Sequence, residues 1–367
     1  MTASTVDRAS PPSESIERLP GPDVVRACAL IGVVVMNYHG YLMIRGGDPG
    51  TGWAVDLFNP WTGPMATRFA ATFVLMAGVG VTLLTRRAVA DGSADVIRDM
   101  RWRLVRRGLV LYLLGQLLDV IWSGTIILYY GAMFVIAALL FTLATRWVVA
   151  VGVAAALAGW GINTWALQRR IDGESVSWLT DPGDDSIRRF AFDLAINGTH
   201  PLLPWLVFFC AGIVLGRLLG VEQLDLLTIG VGLVLFAGAW LIETRASTPF
   251  QSVVLSTDPF DRGIVYAASA LGTALVAFGA ISWLVARLGG ALGPLRRAGQ
   301  MTLTIYIAHI LVFNLLVDWL DWIEPAGLGT ALTFSVAFWV VAIAAAAEWH
   351  RRFGRGPAER VYRHLGG

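Results

Sequence analysis

The length of its apolar blocks constrains this chain more than any other feature. Most run for about 17 to 23 residues between short polar or arginine-rich breaks, close to the roughly 20 residues a helix needs to cross a bilayer core. Lipid cannot satisfy exposed backbone N–H and C=O groups, so helices are the form such blocks take. Of 367 residues, 56% are hydrophobic and 15% charged, and mean hydropathy is +0.63; a soluble domain is about one-quarter charged. The blocks predict an all-α polytopic membrane protein, a bundle of ten transmembrane helices over 24–44, 64–84, 108–122, 126–145, 147–167, 201–219, 225–242, 263–286, 299–320 and 327–347. The block at 108–122 is the shortest.

Arginine placement sets the orientation. Arg86, Arg87, Arg98, Arg101, Arg103, Arg106 and Arg107 lie between the second and third blocks, and Arg351, Arg352, Arg355, Arg360 and Arg363 follow the last. Arg146, Arg217, Arg287, Arg296 and Arg297 fall at or near alternate loops. An excess of Lys and Arg marks the cytoplasmic side. With ten helices these groups share one side, which predicts cytoplasmic termini and a cytoplasmic 85–107 loop. The opposite loops are then 45–63, 123–125, 168–200, 243–262 and 321–326. Arg169, Arg170, Arg188 and Arg189 lie on that outer side in the company of Asp181, Asp184 and Asp185, and long loops follow the charge rule poorly. The formal net charge is only +2. Topology accounts for the arginines, so they are not read as a nucleic-acid footprint, and no nucleic-acid partner is expected.

Residues 1–22 are polar, rich in Pro and Ser, and lack the apolar core of a signal peptide; they read as a disordered cytoplasmic lead-in. Residues 23–350 form a single transmembrane domain and 351–367 a basic cytoplasmic tail. Cys28 and Cys210 sit inside apolar blocks without the spacing of a disulfide framework or metal site, and no metal is expected. Glycine is abundant, and Gly78–Gly80, Gly212–Gly216 and Gly289–Gly293 suit close helix packing.

Polar side chains inside membrane helices are the candidates for function. Arg26 and Asn37 are separated by nearly three full turns of the first helix, so they share a face about 16 Å apart along the axis, with Arg26 inner and Asn37 outer. Asp23, one turn before Arg26, is placed to orient it or simply to pair with it at the interface. His39 lies near the outer end on a different face, where Arg68, Asp119 and His200 are also expected, and a histidine there suits general-base work near neutral pH. His200 opens the sixth helix before Pro201 and Pro204. Thr302, Tyr306 and His309 share a face of the ninth helix, with His309 near mid-membrane. Each of these histidines has a structural reading too, as a hydrogen-bonded core or cap residue. No HExxH, GxSxG, Walker or Rossmann motif is present.

Three stretches carry a family resemblance: PDVVRACALIGVVVMNYHG, HPLLPWLVFFCAGIVLGR and AGQMTLTIYIAHILVF. The first two resemble the opening helix and the internal proline–tryptophan helix of membrane acyltransferases related to heparan-alpha-glucosaminide N-acetyltransferase. The third resembles their late helix, shared with YeiB-like bacterial membrane proteins. The resemblance implies a multi-pass cell-membrane enzyme of the bacterial inner membrane. It would take acyl-CoA, above all acetyl-CoA, from the cytoplasm and modify an extracytoplasmic glycan or other small amine or hydroxyl acceptor. It also implies that Arg26 belongs to an Asp-x-x-Arg element, Asn37 to the Asn near the helix end, and His309 to the late-helix histidine. Ala27 stands where the family has Gly, and His39 is only two residues beyond Asn37, nearer than the family's catalytic histidine. On this reading His39, Asn37, His309 and His200 are the catalytic candidates, and Arg26, Arg86, Arg101, Arg107 and Tyr306 hold the CoA. Direct transfer with a histidine base follows. A homodimer is an expectation by analogy. The alternative is a transporter or exporter of a small polar or amphipathic molecule with no acyl transfer.

Overall fold

The computed structural model describes residues 20–181 and 187–367. Residues 1–19 of the expected lead-in, with Asp184 and Asp185, lie outside that description. Each apolar block falls on a helix: α1 (Pro20–Ile44), α2 (Arg68–Asp91), α3 (Ala94–Asp119), α4 (Ile126–Leu140), α5 (Thr145–Ile171), α6 (Leu202–Arg217), α7 (Leu224–Glu243), α8 (Ile264–Leu288), α9 (Thr302–Phe313, prolonged by a π-helical turn, Asn314–Trp319) and α10 (Leu328–Phe353). A shorter helix, α11 (Pro357–Gly366), follows.

Among the described residues seven helices are long and apolar enough to cross a membrane: α1, α2, α5, α7, α8, α9 with its π turn, and α10. An eighth is counted if Ile187–Asn197 and α6, which meet at 52°, form one broken span. The chain is a multi-pass membrane protein. The remaining two blocks of the ten-span reading behave differently. α4 is apolar but only 15 residues long. α3 is long, but its first half carries Asp95, Arg98, Asp99, Arg101, Arg103, Arg106 and Arg107.

The expected loop over 85–107 is mostly helix. α2 continues to Asp91, Gly92 takes a left-handed backbone as its C-cap, and α3 begins at Ala94. The physical reason is simple: no Pro or Gly interrupts 94–107, and Arg is a good helix former. Hydropathy marks where a helix leaves lipid, not where it ends. The 351–367 stretch likewise contains a helix. The Glu359 carboxylate accepts from the Leu303 and Thr304 amides at 2.8 and 3.1 Å, capping α9, and α11 packs along α3.

α1 and α2 lie at the centre. Leu30, Val34, Tyr38 and Leu42, spaced by four, are fully buried on α1. Of its most apolar window α2 buries 61%, whereas peripheral α7 buries 17%. α1 contacts α2, α8, α9, α10 and the short helix Gly293–Gly299. α2 crosses α6 closely: a Cβ on Gly212 would fall on the Leu75 carbonyl oxygen, and one on Gly78 on that of Phe209. Gly289–Gly293 does not pack this way. It forms the turn after α8, with Gly289 at φ +51° and open space around Gly289, Gly290 and Gly293.

Candidate functional site

The first helix meets α9 through its polar residues. Asn37 Nδ2 lies 3.1 Å from His309 Nε2. The other ring nitrogen, Nδ1, donates to the Tyr306 carbonyl oxygen one turn earlier. A carbonyl can only accept, so in the neutral ring Nε2 holds the lone pair and the Asn37 amide donates to it. His309 has no solvent exposure. Tyr38 donates to the His309 carbonyl oxygen at 3.1 Å, and the Trp122 and Tyr306 rings stand edge-on to the imidazole at 5.6 and 4.8 Å. The expectation placed Asn37 outer and His309 near mid-membrane; the hydrogen bond puts them on one level.

His39 is also fully buried, on another face of α1. Its Nδ1 donates to the Phe58 carbonyl oxygen at 2.9 Å, which fixes the proton there. Its Nε2 has no hydrogen-bond partner among the described residues. The lone pair of His39 is therefore without a partner, whereas that of His309 is engaged by Asn37. Asn59 Oδ1 accepts from the Trp61 and Thr62 amides at 3.0 and 3.1 Å, a turn that holds the segment carrying Phe58. His200 sits apart, with its ring edge-on to Trp205 at 4.6 Å and to Tyr129 at 5.8 Å.

Arginines tie down the segments before α6 and before α8. Arg262 donates to the carbonyl oxygens of Ile196, Asn197 and Gly198 at 2.6 to 2.8 Å. Burial pulls its guanidinium below the ordinary value. Arg68 donates to the Thr257 carbonyl oxygen at 3.1 Å and lies over the Tyr266 ring. Asp119 accepts from the Gly124 amide at 2.8 Å.

At the other end of α1, Arg26 reaches the Met76 carbonyl oxygen at 3.3 Å and the Asp23 carboxylate at 3.7 Å. Gly80 leaves room for it; a Cβ there would lie 2.7 Å from the guanidinium. Asp23 also accepts from Gln300 at 2.8 Å. Tyr130 is buried, within electrostatic reach of Arg26 and Tyr306, its hydroxyl without a partner among the described residues. Tyr306 pairs with Thr125 at 3.1 Å. Arg26, Tyr130, Tyr306 and the Asn37–His309 pair are thus polar groups set among the apolar helices. Of the other arginines, Arg86 is exposed, Arg101 approaches Thr142 at 3.5 Å, and Arg107 donates to the Gly367 carbonyl oxygen at 3.0 Å.

The structure thus joins Asn37, His309 and Tyr306, places Arg26 below them, and keeps His39 and His200 at separate points. Sequence reasoning missed Tyr38, Trp122, Thr125 and Tyr130. Their only signal was aromatic or hydroxyl character inside apolar blocks, which most such residues share.

A polytopic helical membrane protein with buried histidines and other polar groups among its helices is the class these features define. The family model described as heparan-alpha-glucosaminide N-acetyltransferase, catalytic, matches residues 18–239. That is more than half of the chain, and the chain belongs to this family. A second model, described as a protein of unknown function (DUF418), matches residues 207–366. The two matches divide the site: Arg26, Asn37, His39 and His200 fall in the first, Tyr306 and His309 in the second. No curated protein matches the chain.

Proposed function

We propose that the protein is an acyl-CoA-dependent membrane acyltransferase that transfers an acyl group, above all acetyl, to an amine or hydroxyl of an extracytoplasmic glycan or other small acceptor. The carrying observation is the contrast between its two buried histidines on α1 and α9. His39 has a fixed Nδ1–H and an unpartnered Nε2 lone pair, which is the form a general base requires. His39 Nε2 takes the acceptor's proton as the acceptor's nitrogen or oxygen attacks the thioester carbonyl; the C–S bond breaks and CoA leaves as the thiolate. The Asn37–His309 pair orients the acyl end of the donor, and the Asn37 amide is a donor for developing negative charge on the carbonyl oxygen. Tyr306 lies beside that pair.

Arg26 is a partly buried cation on α1, and a guanidinium suits phosphate. With Arg86, Arg101 and Arg107 it supplies the donor's phosphate contacts at the arginine-rich end. The unpartnered Tyr130 hydroxyl supports a polar arm lying between Arg26 and Tyr306. This reading places the arginine-rich end and both termini in the cytoplasm, counts α3 and α4 as spans to give ten, and has the acceptor enter beside the 45–67 segment. His200 contacts the acceptor at that outer side.

The test is transfer of radiolabel from acetyl-CoA to a mixed amino-sugar and polyol acceptor pool by purified protein in lipid nanodiscs. Acceptor-dependent label transfer is the expected result. Saturable acetyl-CoA binding must accompany it; absence of both overturns the proposal. Substrate counterflow in liposomes without any transfer would instead establish the transporter alternative.

A further inference from the structure

Consecutive helices of a hairpin normally close on one another, yet α9 and α10 leave a cleft of ≈ 780 Å³ between them. α10 packs instead on α1 and on the short helix Gly293–Gly299. The cleft runs from Met301 and Trp349 at one end to Leu316 and Gly329 at the other, ~30 Å along α10 at 1.5 Å per residue. Small side chains make it: Thr333, Ala337 and Ala345 line α10 at multiples of four residues, facing Ala308 on α9. α10 and α9 are both spanning helices, so the cleft lies in the hydrocarbon region, and an apolar cleft there does not hold water.

A helix with its side chains is about 10 Å wide, whereas carbon atoms in contact sit ~3.5–4 Å apart, so a long apolar cleft between two neighbouring helices, walled by Thr and Ala side chains, suits an extended hydrocarbon chain better than a helix of a second copy.

Charge decides which lipid. Arg296 and Arg297 lie within about one turn and a half of Met301, and Arg351, Arg352, Arg355 and Arg360 follow Trp349, a basic cluster that outnumbers Glu348, with which Arg351 and Arg352 pair, and Glu359. At the other end stand Asp318, Asp321 and Glu324, with Asp318 paired to Arg45. A basic rim at one end and an acidic rim at the other favour a negative headgroup at the arginine-rich end.

We propose that the α9–α10 cleft is a binding site for an anionic phospholipid of the leaflet at the arginine-rich end, with one acyl chain in the cleft and its phosphate at the arginines around Arg297 and Arg352. A chain from that leaflet reaches ~15 Å, half the bilayer core, which brings its end to Phe338. Phe338 and Phe334 form the wall between the cleft and the site: Phe334 stacks on Tyr38 at 4.2 Å, Phe338 meets the same ring edge-on at 6.1 Å, and Tyr38 donates to the His309 carbonyl. The lipid tail thus buttresses the aromatic layer behind the Asn37–His309 pair.

Native mass spectrometry of detergent-purified protein, with equimolar palmitoyl-oleoyl phosphatidylglycerol and phosphatidylcholine added, reads this without any catalytic assay. The wild type is expected to retain phosphatidylglycerol with about tenfold or greater preference, given the worth of two arginines near a headgroup. Ala345→Phe, or Ala345→Leu if the larger variant elutes as aggregate, should abolish retention. R297Q/R352Q should retain lipid but lose the preference. Val340→Phe, on a lipid-facing position outside the cleft, should behave as wild type. Equal retention of both lipids by the wild type overturns the proposal. So does undiminished phosphatidylglycerol on A345F and A345L, or a dimer that those variants dissociate.

Discussion

His39 and Asn37 sit two residues apart on one helix and face different partners, which is why their substitutions should have different consequences. Asn37→Ala removes the donor to His309 Nε2 inside the bundle. A buried group left without its partner costs about 1–3 kcal/mol, so thermal unfolding in detergent should shift clearly downward; an unchanged midpoint would show the pair to be energetically silent. Arg26→Ala should weaken acyl-CoA binding, measured by isothermal titration, with little effect on acceptor binding. Unchanged CoA affinity in folded protein would exclude Arg26 from holding the donor. Arg26, Asn37 and His309 were legible one by one, as polar residues in apolar blocks. Their arrangement was not. Asn37 and His309 are 272 residues apart, and helical periodicity phases residues within a helix, never one helix against another. The same limit hid Tyr130, whose interest lies wholly in what surrounds its hydroxyl.

At the scale of elements, glycine and charge behaved unequally as signals. Gly78 and Gly212 were legible as packing glycines because small residues inside long apolar blocks have few other uses, and they do bring α2 and α6 into backbone contact. Gly289–Gly293 has the same composition but lies between elements, where glycine serves the turn. Gly212→Leu should separate α2 from α6 and destabilise or prevent folding, seen as loss of monodisperse protein; the exposed Gly161→Leu, with open space around it, should be tolerated. Wild-type behaviour of G212L would contradict the crossing. The polar first half of α3 reads as a loop between spans because hydropathy reports lipid contact and is blind to a helix standing in water. α11 escaped for the same reason.

The whole molecule reads from its sequence as a multi-pass helical membrane protein, because twenty-residue apolar blocks have one stable solution in lipid. Its orientation rests on arginine placement. In a background with Cys28 and Cys210 replaced by Ala, Ala90→Cys and Ser177→Cys should label from opposite sides of the membrane with an impermeant maleimide; labelling from one side would overturn the orientation and the ten-span count together. On the proposed function acyl-CoA donates to an acceptor whose proton goes to His39, and single-turnover transfer from saturating labelled acyl-CoA, comparing wild type with His39→Ala, His309→Ala and His200→Ala, reads that step alone. A fall of about 100- to 10,000-fold is expected for H39A with acyl-CoA affinity preserved, and altered donor affinity for H309A. Near-wild-type transfer by H39A, with H309A or H200A inactive, would contradict it.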